Sequence, residues 1–266
     1  MLSTALQPVS THVLYALKLH IWFAMRIPRV YYPNPIPLEQ EFELTEDAGH
    51  HIATVLRIKP NRPIVLFNGD GNEYSAQIIS VQRKKVTVEA DACLSLAKES
   101  PIHLHLGQGV SKGDRMDTVL QKSVELGVSE ITPVITERCT VKLDESRWEK
   151  KIQQWQKIII GACEQSGRNI IPALNAPVSL NQWLSSSTNT TRLVLAPGAE
   201  QSLARQPYNA QGFRLLIGPE GGLSETEIHQ ANENGYQSVS LGPRILRTET
   251  AAITSLSILQ AQHGDF

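Results

Sequence analysis

Residues 213–263 read FRLLIGPEGGLSETEIHQANENGYQSVSLGPRILRTETAAITSLSILQAQH. The apolar run FRLLIG ends in Gly218-Pro219-Glu220-Gly221-Gly222, and helix signals follow at once. Ser224 and Glu227 have the spacing of a capping box, which predicts a helix over 224–235. SVSLG repeats the pattern: a β-prone run, the loop Gly242-Pro243-Arg244-Ile245-Leu246-Arg247, then a helix over 249–263. Strands that alternate with helices pair in parallel and are covered on both faces, so this stretch commits the fold to α/β.

Towards the N-terminus the same rhythm holds back to residue 102. RLVLA reads as a strand ending in Ala196-Pro197-Gly198. A long helix is expected over 147–165, with the strand ITPVIT before it. Residues 114–126 read as a helix with Met116, Val119, Leu120 and Val124 inward, Asp114 as a possible N-cap, and Gly127 just past the C-cap. IHLHLGQ reads as the first strand of this domain.

Before residue 98 the texture is β-rich. Residues 38–44 alternate like a strand, and Thr45 is placed to cap a helix running to Arg57, with Ala48, Ile52, Val55 and Leu56 on one face. Pro60 and Pro63 stop it, and PIVLFN, EYSAQIISV and KVTVEA follow as short strands joined by tight turns, the pattern of a small barrel or sheet. Lys98–Pro101 reads as a linker. The expected organisation is an extension over 1–24, a β-rich module over 25–97 and an α/β domain over 102–266. Met25 opens a new texture and reads as the natural start. Residues 12–24 are apolar but too short to span a bilayer, and no charged side chain precedes them to make a signal peptide. The rival reading is a membrane-surface helix, although its polar face lacks a row of Lys or Arg.

The 266 residues carry 25 Lys+Arg and 26 Asp+Glu, a net charge of −1, so any contact with nucleic acid must rest on local patches. Three cysteines form no close pair and no H-E-x-x-H occurs, which argues against a disulfide framework and against a metal site and makes a reducing cytoplasm the default.

Open α/β sheets bind ligands beyond the carboxyl ends of their strands. Three consecutive strand ends here carry Gly-Pro loops, at 196–198, 218–222 and 242–247. Glycine lets a backbone approach a ligand and take positive φ, while proline stiffens the turn. Plain turn chemistry is the alternative for any one of these loops; three together favour a shared pocket. G-x-G-x-x-G, G-x-x-x-x-G-K-[ST] and G-x-S-x-G are all absent, which disfavours a dinucleotide, a triphosphate and an esterase-type nucleophile. The acid in Gly-Pro-Glu-Gly-Gly suits a cationic or neutral ligand better than a polyphosphate.

Long stretches then match one family in order: MRIPRVYY at 25–32, HHIATVLR at 50–57, KGDRMDTVLQKSVELGV at 112–128, ACEQSGR at 162–168, IGPEGGLSETE at 217–227 and LGPRILRTETA at 241–251. Residues 25–263 resemble the ribosomal RNA small-subunit methyltransferase E family of the SPOUT superfamily. The resemblance implies a C-terminal SPOUT domain with a trefoil-knotted, mostly parallel sheet and an N-terminal PUA-like RNA-binding barrel. It also implies a cytoplasmic homodimer that uses S-adenosylmethionine to methylate uracil N3 of a uridine in 16S rRNA of the small ribosomal subunit.

By that resemblance Leu195, Gly218, Gly222, Leu241, Gly242 and Leu246 line the methyl-donor pocket, with the leucines otherwise ordinary sheet-end core. Uracil N3 carries a proton at neutral pH, so a base must remove it or cations must stabilise the anion. Arg247 and Glu249 follow the last loop and are the catalytic candidates. Arg247 would hold O2 or O4 of the uracil; Glu249 would accept the proton, orient Arg247, or simply place an acid at a helix N-terminus. RNA-binding candidates are Arg26, Arg29 and Arg57 in the β-rich module, with Tyr31 and Tyr32 to stack bases, and Lys112, Arg115 and Arg168 in the α/β domain. The tyrosines could instead pack between domains, and an exposed arginine is often only solvated. Arg83-Lys84-Lys85 reads as a hairpin tip, and His50-His51 as one exposed and one half-buried helix position. The rivals are a knotted methyltransferase acting on ribose 2′-oxygen or on tRNA, and a non-catalytic RNA-binding protein.

Overall fold

The structure, a computed structural model, describes residues 27–83, 85–141 and 143–266. The readings of 1–24, Met25, Arg26 and Lys84 fall outside these residues. The described chain divides into two compact units, one reaching to Asn68 and continuing over Asn72–Leu96, the other made of Gly69–Gly71 and Ala97–Phe266.

In the first unit β1 (Arg29–Tyr31), β2 (Glu41–Glu43), β3 (Pro63–Phe67), β4 (Asn72–Gln82) and β5 (Lys85–Ser95) form one sheet in the order β1-β3-β4-β5-β2. Pairing is antiparallel except between β1 and β3. Its inward residues, among them Ile64, Leu66, Ile78, Val86 and Val88, are fully buried around Ile52. The Thr45 hydroxyl accepts from the Ala48 N–H and starts α1 (Glu46–His50), as its sequence position predicts. The helix then widens into a π-helical turn over His51–Val55. Its wider spacing rotates later side chains off the expected face, so Ile52 is buried while Val55 and Leu56 are exposed. His50 is exposed and His51 half-buried.

In the second unit β6 (Leu104–Gly109), β7 (Glu130–Ile135), β8 (Ala173–Leu174), β9 (Val178–Ser179), β10 (Thr191–Leu195), β11 (Gln201–Ser202), β12 (Phe213–Ile217) and β13 (Gln237–Ser240) form an eight-stranded sheet. Its order is β11-β13-β10-β12-β6-β7-β8, with β9 also on β7, and every pairing is parallel. The helices are α2 (Asp114–Glu125), α3 (Glu145–Ser166), α4 (Leu180–Ser185), α5 (Glu225–Glu233) and α6 (Thr248–His263). Met116, Val119, Leu120 and Val124 of α2 are wholly buried, each worth about 1.5–3 kcal/mol against exposure. Gly127 follows the helix at φ +76°. Gly113, rather than Asp114, holds the N-cap position.

Alternation along β6 sorts the helices onto two faces. His105 and Gly107 face α4, where His105 meets the Trp183 ring edge-on and a Cβ at Gly107 would collide with the indole. Leu104, Leu106 and Gln108 point to the opposite face, on which α6 packs through Thr248. The strand–helix alternation predicted from sequence is therefore the observed architecture, a parallel sheet covered on both faces.

Candidate active site

Because neighbouring strands run in order β13-β10-β12-β6 and are parallel, four strand ends open side by side. Leu241 and Gly242 leave β13, Leu195 and Ala196 leave β10, Gly218 follows β12 and Gly109 ends β6. A crevice of about 50 Å³ lies there, lined by Leu195, Ala196, Pro197, Leu241, Gly242, Arg244, Ile245, Leu246 and Ala251. Its floor is apolar. Four of the six expected pocket residues line it: Leu195, Leu241, Gly242 and Leu246.

Gly218 and Gly222 lie in the adjoining loop and do not line the crevice itself. A Cβ on Gly218 would sit 2.7 Å from the Leu223 nitrogen, so the tight turn itself demands glycine there. Gly222 is different. It takes φ +69°, and a Cβ would meet nothing within 4 Å, which leaves open space beside the loop.

The loop is braced from three sides. Arg138 donates to the Gly221 carbonyl at 2.9 Å. Glu227 completes the expected capping box with Ser224, and its other oxygen accepts from the Glu137 N–H at 2.7 Å. Glu220 accepts from the Lys112 N–H at 2.9 Å and pairs with Arg115 at 3.0 Å. Burial pushes the Glu220 carboxyl up, but its own and the Lys112 N–H groups and Arg115 outweigh this and hold it below the usual range. The acid of Gly-Pro-Glu-Gly-Gly therefore ties the loop to the start of α2, which corrects its reading as a ligand-facing charge.

Gln108 and Thr248 were not anticipated. Gln108 is fully buried, and its Nε2 donates to the Thr248 hydroxyl at 2.9 Å and to the carbonyls of Gly109 at 3.1 Å and Gly218 at 3.4 Å. The Thr248 hydroxyl donates onward to the Gly218 carbonyl at 2.7 Å. One amide thus joins the ends of β6 and β12 to the first turn of α6, the helix that carries Glu249. The signal lay in the alternation of IHLHLGQ, where a glutamine occupies the register of Leu104 and Leu106.

Arg247 precedes α6 at its N-cap position and is exposed, with no ion pair among the described residues. It is not bonded to Glu220, which is committed to Arg115. Glu249 follows in the first turn, and its Oε2 is buried without a hydrogen-bond partner among the described residues. Arg244 and Ile245 stand exposed at the rim, Ile245 at 86%.

The other RNA-binding candidates separate sharply. Arg168 is 6% exposed and donates to Glu99 at 2.6 and 2.9 Å and to the carbonyls of Val124 and Val128. It is a buried brace in place of the expected phosphate contact. Arg29 pairs with Glu73 at 2.7 Å and lies over the Phe67 ring, which likewise turns it inward. Tyr31 packs on Phe67 and Tyr32 on Phe42, each within its own unit. Arg57, Lys112 and Arg115 remain exposed. Among the described residues no group of three or more His, Cys, Asp or Glu could hold a metal ion, and no helix is long and apolar enough to cross a membrane.

The carboxyl edge of the parallel sheet thus carries an apolar crevice where open α/β sheets bind ligands, followed in sequence by Arg247 and Glu249. Residues 98–260 match the RNA methyltransferase domain model and residues 44–91 the RNA methyltransferase PUA domain model. The class is that of RNA methyltransferases with an appended PUA domain. A ribosomal RNA small subunit methyltransferase E from Buchnera aphidicola is 33% identical over 242 residues, covering 91% of this chain and 96% of its relative. Among solved structures, a putative methyltransferase from Legionella pneumophila in complex with bound SAM is 47% identical with a TM-score of 0.89, covering 91% of this chain and 100% of that one. A ribosomal RNA small subunit methyltransferase E from Neisseria gonorrhoeae bound to S-adenosyl methionine is 38% identical with a TM-score of 0.85, at the same coverage. The chain belongs to the ribosomal RNA small subunit methyltransferase E family.

Proposed function

We propose that the chain is an S-adenosylmethionine-dependent methyltransferase that modifies uracil N3 of a uridine in 16S rRNA. The observation that carries the catalytic part is that exposed Arg247 and Glu249, one of whose oxygens has no hydrogen-bond partner among the described residues, follow directly in sequence on Leu246 of the strand-end crevice.

S-adenosylmethionine, when bound, supplies a methyl group on a sulfonium carbon. The residues present fit it: Leu195, Leu241 and Leu246 offer apolar walls to an adenine ring, and Gly242, at φ +99° with open space around it, lets the backbone come close. The enclosed crevice takes only the flat, apolar part of such a molecule; the rest would lie along the 218–222 loop beside Gly222. Glu249 accepts the N3 proton with its unpartnered oxygen, and Arg247 holds O2 or O4 of the uracil as negative charge spreads onto them. Gln108 fixes the start of α6 against the Gly218 loop, so both side chains are presented from a rigid base. Lys112, Arg115 and Arg57 supply phosphate contacts. Family membership supports three further parts of this reading: a trefoil knot within 102–266, a homodimer, and action in the cytoplasm.

Single-turnover methylation of unmethylated small ribosomal subunits at saturating donor tests it. Glu249→Gln and Arg247→Ala are expected to slow the chemical step with little change in donor affinity. Unchanged rates with weakened donor binding would make both residues loop braces and refute the catalytic assignment.

A further inference from the structure

The structure contains a second cationic site, far along the sequence from the strand-end loops. A cleft of about 390 Å³ in the first unit is lined by Ile27, Pro28, Leu56, Arg57, Ile58, Lys59, Arg62 and Pro63. Three of these residues are cations and the other five are apolar; no carboxylate among the described residues lines it. Arg57, Lys59 and Arg62 are exposed, and none is in an ion pair among the described residues. This sets them apart from Arg29 in the same unit, which Glu73 neutralises.

The backbone adds a second, independent observation. The π-helical turn closes with the Leu56 N–H on the His51 carbonyl and the Ile58 N–H on the Ile52 carbonyl. That closure puts Arg57 at φ +52°, a left-handed conformation at a helix end where glycine is the usual residue. An arginine kept where glycine would be relaxed places a guanidinium in the cleft at the expense of local strain, and such strain gathers at ligand sites.

The ligand follows from the lining. Cations without counter-charges fit phosphates, and an apolar wall fits a base face. The volume lies in the range of pockets that take one small ligand, about 300–1,000 Å³, too small for a duplex. Single-stranded RNA offers this combination, a splayed base with phosphates on either side. We propose that this cleft holds one unstacked nucleotide of the RNA substrate, distinct from the uridine being methylated, with Lys59 and Arg62 joining Arg57 on its phosphates. The proposal rests on the reading of the chain as an rRNA-modifying enzyme and deepens it.

The full chain is titrated with 16S rRNA fragments and with unmethylated small subunits across a salt series, and unfolding midpoints and donor affinity are followed alongside. Arg57→Gly is the most informative variant, because it removes the charge while relaxing the backbone. It is expected to keep or raise the unfolding midpoint yet weaken RNA binding severalfold. Arg57→Gly combined with Lys59→Glu and Arg62→Glu is expected to weaken it by a factor of ten or more. The slope of log affinity against log salt should fall by roughly 0.7 per lost contact to a single strand. Lys150→Glu, on the exposed side of α3, serves as the charge control. Wild-type affinity and slope in the triple variant would overturn the cleft, as would an equal loss per charge from Lys150→Glu. A wild-type chain that binds neither RNA would overturn the rRNA reading as well, which separates the two failures.

Discussion

The two edges of the large sheet make opposite use of polar side chains. At the carboxyl edge the crevice is only about 50 Å³, yet among the described residues Arg244 and Arg247 are exposed without an ion pair and a Glu249 oxygen has no hydrogen-bond partner. At the amino edge a cavity of about 460 Å³ gathers His103, His105, Glu130, Thr132, Asn175 and Arg214 around Trp183. Here most of the groups bond to one another or to backbone. Asn175 donates to Glu130 at 2.6 Å, His105 contacts Glu130 and Thr132, and Arg214 caps the end of α4 at the carbonyls of Trp183 and Ser186. Its guanidinium also lies 3.7 Å over the Trp183 ring, where its own Nε and the indole N–H are left without other partners. The larger cavity is thus built largely from groups that bond within the fold, whereas the cations beside the smaller one, Arg244 and Arg247, have no ion pair among the described residues. Cavity size alone is therefore a poor guide to a ligand site in this fold; the carboxyl ends of the strands, where open α/β sheets bind ligands, are the better one.

If the carboxyl edge is catalytic, Arg247→Ala should give the largest effect. Loss of one contact to developing charge typically costs about 10²–10³ in rate. The measurement is single-turnover rate at saturating donor, with donor affinity held within a few-fold. Arg247→Lys should recover only part, since an ammonium lacks the planar fork. If the amino edge is structural, Arg168→Ala should act on stability instead. It strips the half-buried Glu99 of its cation and the Val124 and Val128 carbonyls of their donor, a loss of about 1–3 kcal/mol. For a chain of this size that lowers the thermal midpoint by about 2–12 °C in calorimetry, at about 2–4 °C per kcal/mol. RNA affinity of the folded protein should not change.

Gly222→Val sharpens the carboxyl side. The site is open, so the cost comes from φ +69°, which a β-branched residue resists by about 1–2 kcal/mol or more. Donor affinity by calorimetry should fall about tenfold or further, at 1.4 kcal/mol per decade, in a protein that still folds. The smallest effect concerns His105, whose pKa burial, Arg214 and His103 push down to about 3. Only the unfolded chain takes up this proton between about 6.5 and about 3, so stability present above the upper value is lost as pH falls through that window. The slope from this one group is at most about 1.4 kcal/mol per pH unit. Denaturant titrations of His105→Gln against wild type should show the flatter profile in the variant.

What sequence could reveal follows the same division. Periodicity located the strand–loop–helix units and the three Gly-Pro loops, because local pattern is what sets them. Arg168 stood in a Gln-Ser-Gly-Arg turn that looked like a surface, while its partner Glu99 lies 69 residues away. The role of Glu220 was hidden similarly, since Arg115 reaches it from a residue 105 positions earlier. Helix α4 is short enough to leave little periodic trace, although Ser179 and Gln182 already had capping-box spacing. The exposure of Val55 and Leu56 depended on a π-helical turn that a 3.6-residue period does not foresee. Uracil N3 as the target atom came from family resemblance, not from any residue pattern.

The most direct measurement is mass spectrometry of nucleosides from 16S rRNA of cells that lack their own enzyme and express this chain. Wild type should restore one N3-methyluridine, and Arg247→Ala, expressed and folded to the same level, should not. Absence of that nucleoside with wild type, or a methyl group on a ribose or on tRNA instead, would contradict the assignment of the carboxyl edge as an N3-methylating site for 16S rRNA.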